Sequence, residues 1–171
     1  MNKKFKRLEQ IFEAMGRSHV VIGVLKGAHA DDDAGGIKMA RLAAVHEFGT
    51  KIKVTPKMRA YLHSIGIHLK KSTTHITIPE RSFLRSSLLE NKELYKRQLA
   101  ALMKQVVRGE ITPDEAYGKL GAFAAGKAQQ KIESGNLTPL HPETVRRRRK
   151  NSEKPLYDDG QLVQSITWDI R

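Results

Sequence analysis

The sequence predicts an α+β fold in which a small antiparallel sheet of about four strands packs against one or two long helices, with extended loops around them. Two stretches, residues 80–108 and 112–135, carry apolar residues at the spacing of a helix that buries one face. Short runs rich in β-branched residues lie outside these stretches and are bounded by turn-forming residues, as strands are.

Composition limits the classes of protein to be considered. The 171 residues are expected to form a single domain, 1–171, with an N-terminal helix (3–15) and a basic loop region (136–155) as extensions. The chain has no cysteine, which excludes disulfides, thiolate zinc sites and cysteine nucleophiles. We expect neither a membrane span nor a signal peptide, because no apolar run is long enough. The net charge of +13 predicts an acidic partner: nucleic acid, an acidic protein surface or a membrane face.

The first third of the chain is predicted to contain two helices and a strand. Residues 3–15 have the pattern of an amphipathic helix, which suits a core helix and, being basic, also a membrane surface. Residues 19–25 are a continuous β-branched run and predict a central strand covered on both faces. Residues 37–47 return to helical spacing, with Phe48 facing the core and Gly49 ending the helix. The apolar side of the first helix comprises Phe5, Leu8, Phe12 and Met15.

Two sets of polar residues in this region suggest chemistry. His29 and the aspartates at 31–33 lie in a glycine-rich loop, residues 28–36, and offer ligands for a divalent cation. They meet no ligand-spacing rule, so a solvated loop is expected and no cofactor is predicted. His46 and Glu47 are neighbours, but adjacent residues point to different sides of a helix. We therefore expect a polar helix end there, and not a catalytic pair.

A short helix and a hairpin are predicted next. Thr55 suits the N-cap of a helix and Pro56 its first position, because proline has no N–H to leave unpaired. Residues 67–69 and 75–78 alternate between polar and apolar on either side of the polar turn 70–74, which predicts a hairpin with one apolar face.

The longest helix is predicted over residues 80–108. Pro79 fits the first turn of such a helix, and Gly109 provides its left-handed end. Leu84 and Leu88 begin its apolar face and are expected to lie closest to the sheet.

The C-terminal third is predicted to contain a second long helix, a short helix and a strand. Residues 112–115 form a capping box with proline at the first helical position. A short helix is predicted around 143–149, a turn over 155–160 and a half-buried strand over 165–170. Small residues on the long helix would let a backbone approach closely, in the same chain or a neighbour: Gly121, Ala122, Ala125, Gly126 and Ala128.

Motifs for the common catalytic chemistries are missing. The chain has no glycine-rich phosphate loop, no helical His-x-x-x-His pair and no Gly-x-Ser-x-Gly elbow. We therefore predict no active site and no enzymatic function.

Three segments carry a family resemblance. Residues 44–50 are Ala-Val-His-Glu-Phe-Gly-Thr, residues 78–85 are Ile-Pro-Glu-Arg-Ser-Phe-Leu-Arg, and residues 155–166 are Pro-Leu-Tyr-Asp-Asp-Gly-Gln-Leu-Val-Gln-Ser-Ile. In this order they resemble the tail-completion and neck proteins of tailed bacteriophages, also called virion morphogenesis proteins, over about residues 19–171. The usual Asp-Thr-Gly before the last strand is Asp-Asp-Gly here, which alters one turn residue. The matching positions, all expected to be structural, are Glu47, Phe48, Gly49, Pro79, Arg81, Phe83, Leu84, Asp158, Gly160, Leu162 and Ser165.

The resemblance implies a non-enzymatic α+β subunit that builds a ring where the head of the particle meets its tail. It implies a homo-oligomer, with a hexameric ring expected, and neighbouring head-connector and tail-tube or terminator proteins. DNA would pass through this ring on ejection. Such a protein belongs to the virion tail or neck and is assembled in the cytoplasm of the host bacterium, with no membrane partner.

The densest positive charge is a run of five basic residues, for which two roles are open. The run is a solvated face, or it contacts double-stranded DNA without reading bases or an acidic surface of an adjoining protein. An alternative to the virion role is a small basic DNA-binding accessory protein, which would act on a defined duplex as a monomer or dimer. The residues of the run are Arg146, Arg147, Arg148, Arg149 and Lys150.

Overall fold

The chain has the α+β fold that its sequence predicts, in a computed structural model that describes residues 3–25, 33–34, 37–148 and 153–171. Four strands form two antiparallel pairs, and the longest helix packs against one of them. The helices are α1 (Lys3–Arg17), α2 (Met39–Phe48), α3 (Pro56–Ser64), α4 (Leu84–Glu90), α5 (Lys92–Arg108), α6 (Pro113–Glu133), α7 (Pro142–Arg147) and α8 (Gln161–Gln164). The strands are β1 (Val20–Gly23), β2 (Asp33–Ala34), β3 (Ile37–Lys38), β4 (Thr50–Lys53), β5 (His75–Ile78) and β6 (Thr167–Ile170).

The two main strand pairs are β1 with β6 and β4 with β5. Val20 lies opposite Ile170 in the first pair, and Thr50 lies opposite Ile78 in the second; β2 and β3 form a further pair of two residues each. Within the part of the chain that the structure describes, the two main pairs do not join into the single sheet expected from residues 20–25, 67–69, 74–78 and 165–170. β1 therefore has one neighbouring strand and is not central.

The predicted hairpin has a different first strand. β5 pairs with β4 and not with residues 67–69, which are not a strand. Two backbone groups of that segment bond to α3: the N–H of Ile67 donates to Leu62 O at 2.7 Å, and Arg59 Nη1 donates to Leu69 O at 3.2 Å. Because α3 takes these groups, the ladder partner of β5 is the residue run after Gly49.

The predicted helix over residues 80–108 is two helices, α4 and α5. At the break, the side-chain amide of Asn91 donates to Ser87 O at 2.8 Å, and its backbone N–H donates to the same oxygen at 3.1 Å. An asparagine side chain that competes for a helical carbonyl disturbs the regular ladder. Leu88 is 55% exposed, so the prediction that it lies closest to the sheet is wrong, whereas Leu84 packs against the core.

The main core lies between α6, α2, α4 and the C-terminal segment. Its most buried side chains are Phe83, Met39 and Ile132. Trp168 of β6 packs flat on α6, where a Cβ on Gly121 would lie 2.8 Å from its ring. Gly121 thus admits a side chain of the same chain, whereas a Cβ on Gly126 would meet nothing within 4 Å. The rest of this cluster comprises Ala43, Ala125, Ala128, Leu156, Leu162, Val163 and Ile166.

Helix α1 packs against α5 and α6 by one narrow edge. Met15 is buried, and its carbonyl accepts a 2.7 Å hydrogen bond from the hydroxyl of Tyr117. Ile11 packs on the second core cluster, formed by Leu102, Val106 and Ala116. Phe5 and Phe12 are exposed, so the predicted apolar side of α1 is only partly buried. Among the helices described, none is both long and apolar enough to span a bilayer.

Candidate functional site

The three segments that carry the family resemblance meet around Phe83. This side chain is fully buried and lies in one cluster with Leu162 and Ile166 of the third segment. The first segment reaches it through Glu47, whose Oε2 accepts from the Phe83 N–H at 2.8 Å. Segments that are far apart in sequence therefore meet at one place in the fold.

Glu47 joins the first segment to the second. Its carboxylate is 3% exposed and accepts hydrogen bonds at the start of α4. Oε2 accepts from the N–H groups of Phe83 at 2.8 Å and Leu84 at 3.0 Å. Oε1 accepts from Ser82 Oγ at 2.7 Å and from the Arg85 N–H at 3.0 Å. We call this arrangement the Glu47 clamp; it satisfies N–H groups that a helix N-terminus leaves unpaired and places a negative charge at the positive end of the helix.

The charge of the clamp is set by competing effects. Burial raises the pKa of Glu47, but the hydrogen bonds from the backbone of Leu84 and Arg85, from Ser82 and from Phe83 outweigh it, so the net pKa is lowered. Arg85 Nε adds an ion pair at 3.1 Å. The carboxylate is therefore ionised at neutral pH and acts as an acceptor, not as a proton donor.

Phe48 lies outside the core, contrary to prediction. It is 63% exposed, and the guanidinium of Arg85 lies over its ring at 4.7 Å from the centroid. Gly49 follows with φ +68°, and a Cβ there would lie 2.8 Å from the backbone nitrogen of Glu80. Glycine is required at this position both by the left-handed backbone and by the close approach of the second segment.

Arg81 joins the second segment to the loop after α6. It is 5% exposed; Nε donates to Thr138 O at 2.7 Å, and Nη2 donates to Pro139 O at 2.9 Å. Its backbone N–H donates to His46 O at 2.8 Å. These bonds hold the chain extended after Pro79, which explains why α4 begins at Leu84 and not at the proline.

His46 is a partly buried imidazole that is uncharged at neutral pH. Burial, together with the nearby charges of Arg81 and Arg148, lowers the pKa of His46 from 6.5 to about 4. Its Nδ1 is buried and has no hydrogen-bond partner among the described residues. The ring stays neutral between two guanidinium groups, which makes this part of the fold sensitive to acid.

The third segment supplies a turn and core residues. Gly160 precedes α8 with φ +86°, a conformation that favours glycine. Leu162 is buried in the core, and the fully buried Ser165 donates from Oγ to Leu162 O at 2.8 Å. Asp158 is exposed, whereas Asp159 Oδ1 accepts from the N–H of Gln161 at 3.1 Å.

The basic run is divided between surface and fold. Arg146 is exposed and pairs with Glu143 at 2.6 Å. Arg147 donates to Ile65 O and Gly66 O, both at 3.0 Å. Arg148 Nη1 donates to the carbonyl oxygens of Lys154 at 2.7 Å and Tyr157 at 3.3 Å. Arg149 and Lys150 lie outside the described residues. Replacing the whole run would thus remove fold contacts as well as charge. Of its three described residues, Arg146 is the one that donates to no backbone carbonyl of another segment.

The residues considered for metal binding give no described site. His29, Asp31 and Asp32 lie outside the described residues, whereas Asp33 lies in β2. Across 3–25, 33–34, 37–148 and 153–171, no three His, Asp or Glu side chains are grouped closely enough to hold a metal ion.

A second positive surface was not predicted. Residues 50–78, which we call the basic arm, comprise β4, α3, β5 and their connections. They contain five Lys, one Arg and three His, but no Asp or Glu. None of these residues is fully buried. The signal was present in the sequence, since the absence of acidic residues over this stretch is visible without a structure.

Two apolar patches are also exposed. The α1 patch consists of Phe5 and Phe12, and the α4 patch consists of Leu88 and Leu89. They lie at different places along α5: α4 precedes this helix, whereas α1 packs on its C-terminal half, where Ile11 meets the cluster of Leu102 and Val106 and Arg7 contacts the position of Gly109. The two ends of this 17-residue helix are about 25 Å apart.

No protein-family model, curated protein or solved structure matches the chain.

Proposed function

We propose that the chain is a structural subunit of a tailed phage or prophage-like particle, which completes the tail or neck and joins tail to head as part of a ring around the DNA channel. The observation that carries this proposal is the convergence of the three resembling segments around Phe83 and the Glu47 clamp. That these positions hold one another in place supports the proposal, because the three matching segments then act as one structural unit.

The surface of the chain suits repeated contacts between copies. The α1 patch and the α4 patch are different surfaces of the chain, so a contact between the α1 patch of one copy and the α4 patch of the next would be head to tail. Contacts of this kind close into rings when the rotation between subunits allows it. Phe5 and Leu89 are 66% and 73% exposed, which is a high exposure for such large apolar side chains in a free subunit.

The charge of the chain bears on how the ring would form. Subunits with a net charge of +13 repel one another at low salt. We therefore expect assembly on a neighbouring ring or around DNA, either of which would offset this repulsion, and a free chain that stays monomeric in dilute buffer.

Deletion of the gene from its phage or prophage tests the proposal. Electron microscopy of the lysate should show separate heads and tails, and the wild-type gene supplied in trans should restore joined particles. A Phe5→Ser/Phe12→Ser variant should fail to restore joining, whereas Tyr61→Ser, which changes an equally exposed aromatic outside both patches, should succeed. Joined particles in normal numbers after the deletion would refute the proposal and favour the accessory DNA-binding protein.

A further inference from the structure

The basic arm combines positive charge with an unusual construction. None of its residues is fully buried, and the guanidinium of Arg59 donates to Leu69 O at 3.2 Å, Lys70 O at 3.0 Å and Thr73 O at 2.6 Å. The guanidinium is planar and has five N–H donors, so it can bond several carbonyl groups of the loop at once. Arg59 thus holds the loop to α3 and leaves the five lysines of the arm as its surface charge.

One face of the β4–β5 ribbon carries only polar side chains. Lys51 lies opposite Thr77, and Lys53 lies opposite His75; all four residues are exposed. Paired residues in an antiparallel ladder point to the same side, so these four form one continuous face. The two lysines are about 7 Å apart along the strand, since each residue of a strand rises about 3.4 Å.

We propose that this ribbon face, Lys51, Lys53, His75 and Thr77, binds the phosphate backbone of double-stranded DNA without reading the bases. The proposal does not depend on a virion role, because it rests on the chemistry of the arm alone. A two-stranded ribbon fits the major groove of B-form DNA. The lysines would each neutralise a phosphate, and the threonine hydroxyl would add a neutral donor.

The composition of the face favours DNA over an acidic protein. Protein interfaces are depleted of lysine and anchored by aromatic residues and arginine. The ribbon face has two lysines and neither an aromatic residue with a large apolar ring nor an arginine. It also has no carboxylate to confer specificity on a protein partner, whereas a uniform row of donors suits a backbone of uniform negative charge.

The positive surface extends beyond the ribbon. Arg147 donates to Ile65 O and Gly66 O at the end of α3, which brings α7 against the basic arm. The charge of Arg147 therefore lies at the edge of the arm and adds to its positive field.

Fluorescence anisotropy of labelled 30-base-pair duplexes, titrated with the full chain at several salt concentrations, tests the proposal. The variant is Lys51→Gln/Lys53→Gln, and the matched control is Lys104→Gln/Lys119→Gln, which removes the same charge from exposed positions on α5 and α6. Two lost phosphate contacts should lower the slope of log K against log salt by about 1.8 and weaken binding on the order of 10- to 60-fold near 0.1 M salt. The control should keep most of the wild-type affinity and most of its salt slope. Duplexes of unrelated sequence should bind equally well.

Two results would overturn the proposal. If the control loses as much affinity as the ribbon variant, or if neither loses any, the ribbon face is not the binding surface. Poly-L-glutamate of matched charge is tested as a competitor for the labelled duplex. If it displaces the duplex as well as unlabelled DNA does, and if the Lys51→Gln/Lys53→Gln variant no longer binds it, the face binds acidic polypeptides and the choice of DNA is wrong. Circular dichroism melts should be alike for the three proteins, because exposed lysines contribute little to stability.

Discussion

Replacing Glu47 with Gln should destabilise the fold more than any other single change of charge. The amide of Gln keeps one of the two carboxylate oxygens and replaces the second with an NH2 group. The N–H groups that donated to the second oxygen then face another donor. In the better orientation the NH2 faces the N–H groups of Phe83 and Leu84, which then have no acceptor. A buried donor left unpaired costs about 1–3 kcal/mol, so we expect a loss of about 4 kcal/mol from the two. Folded domains have only about 5–15 kcal/mol of stability, so this loss is large.

Urea denaturation followed by far-UV circular dichroism measures the effect. Glu80→Gln is the matched control, because Glu80 pairs with the same Arg85 at 2.8 Å but is 55% exposed. Its loss should stay below about 1 kcal/mol, as for other exposed ion pairs. If Glu47→Gln costs less than about 1 kcal/mol, the clamp does not hold α4 to α2 and the reasoning fails.

The pH dependence gives a second measure of the same interaction. The pKa of Glu47 is lowered in the folded chain, so its contribution is present above the unfolded value of 4.5 and is lost as the pH falls through the folded pKa. Glu47→Gln cannot be protonated in this range. The free energy of unfolding of this variant should therefore fall less than that of the wild type as the pH is lowered below 4.5. At neutral pH the variant is the less stable of the two.

Two further predictions concern the core and His46. Gly121→Ala should lower the free energy of unfolding by about 1–3 kcal/mol, because its Cβ would meet the Trp168 ring at 2.8 Å. Gly126→Ala has nothing within 4 Å of its Cβ and should raise that free energy by up to about 1 kcal/mol. Equal urea midpoints for the two variants would contradict this. His46 has its folded pKa lowered from 6.5 to about 4, so the unfolded state binds the proton first and stability is lost as the pH falls from 6.5 towards 4. The full shift corresponds to about 3 kcal/mol, and about half of that is expected after solvent screening. His46→Gln should flatten the stability profile between pH 5 and 6.5, and an unchanged slope would show that another group titrates there.

Local chemistry made the helix boundaries predictable. Thr55 Oγ accepts from the N–H of Met58 at 3.2 Å, and Thr112 and Glu115 form the predicted capping box. Gly109 has the expected left-handed conformation after α5. Such ends depend on residues within one turn, so the sequence contains the whole interaction.

Non-local pairing was not predictable in the same way. Residues 50–53 and 67–69 both alternate, and either could pair with β5; the choice depends on Arg59, whose bonds to the loop remove one candidate. The break at Asn91 depends on one side-chain hydrogen bond within an otherwise continuous apolar pattern. Neither outcome follows from periodicity, because periodicity records burial and not the partner of each backbone group.

The positions of the Glu47 clamp came from the resemblance, but the role of the carboxylate did not. A signal was available: Met39, Ala43 and Glu47 are four residues apart and are the three buried residues of α2. Helical spacing thus placed Glu47 on the core face and turned Phe48 away from it. The residue type alone predicts that Glu47 faces solvent, because an unpaired carboxylate is costly to bury. The donors that make its burial possible lie in another segment of the chain, residues 82–85.

The use of arginine and lysine in this chain separates stability from binding. Several arginines donate to backbone carbonyl oxygens of other segments and so act as tertiary cross-links; these are Arg59, Arg81, Arg85, Arg147 and Arg148. A guanidinium can serve two or three carbonyls at once, which an ammonium on a flexible stem does less well. These arginines still contribute their charge to the net +13, but many of their N–H donors are engaged in the fold and cannot bond directly to a partner. Lysine substitutions on the basic arm test binding alone, whereas a serine at Arg147 or Arg148 would weaken the fold and the field together. A loss of particle joining or DNA affinity in such an arginine variant has to be compared with its unfolding curve before it is assigned to a lost contact.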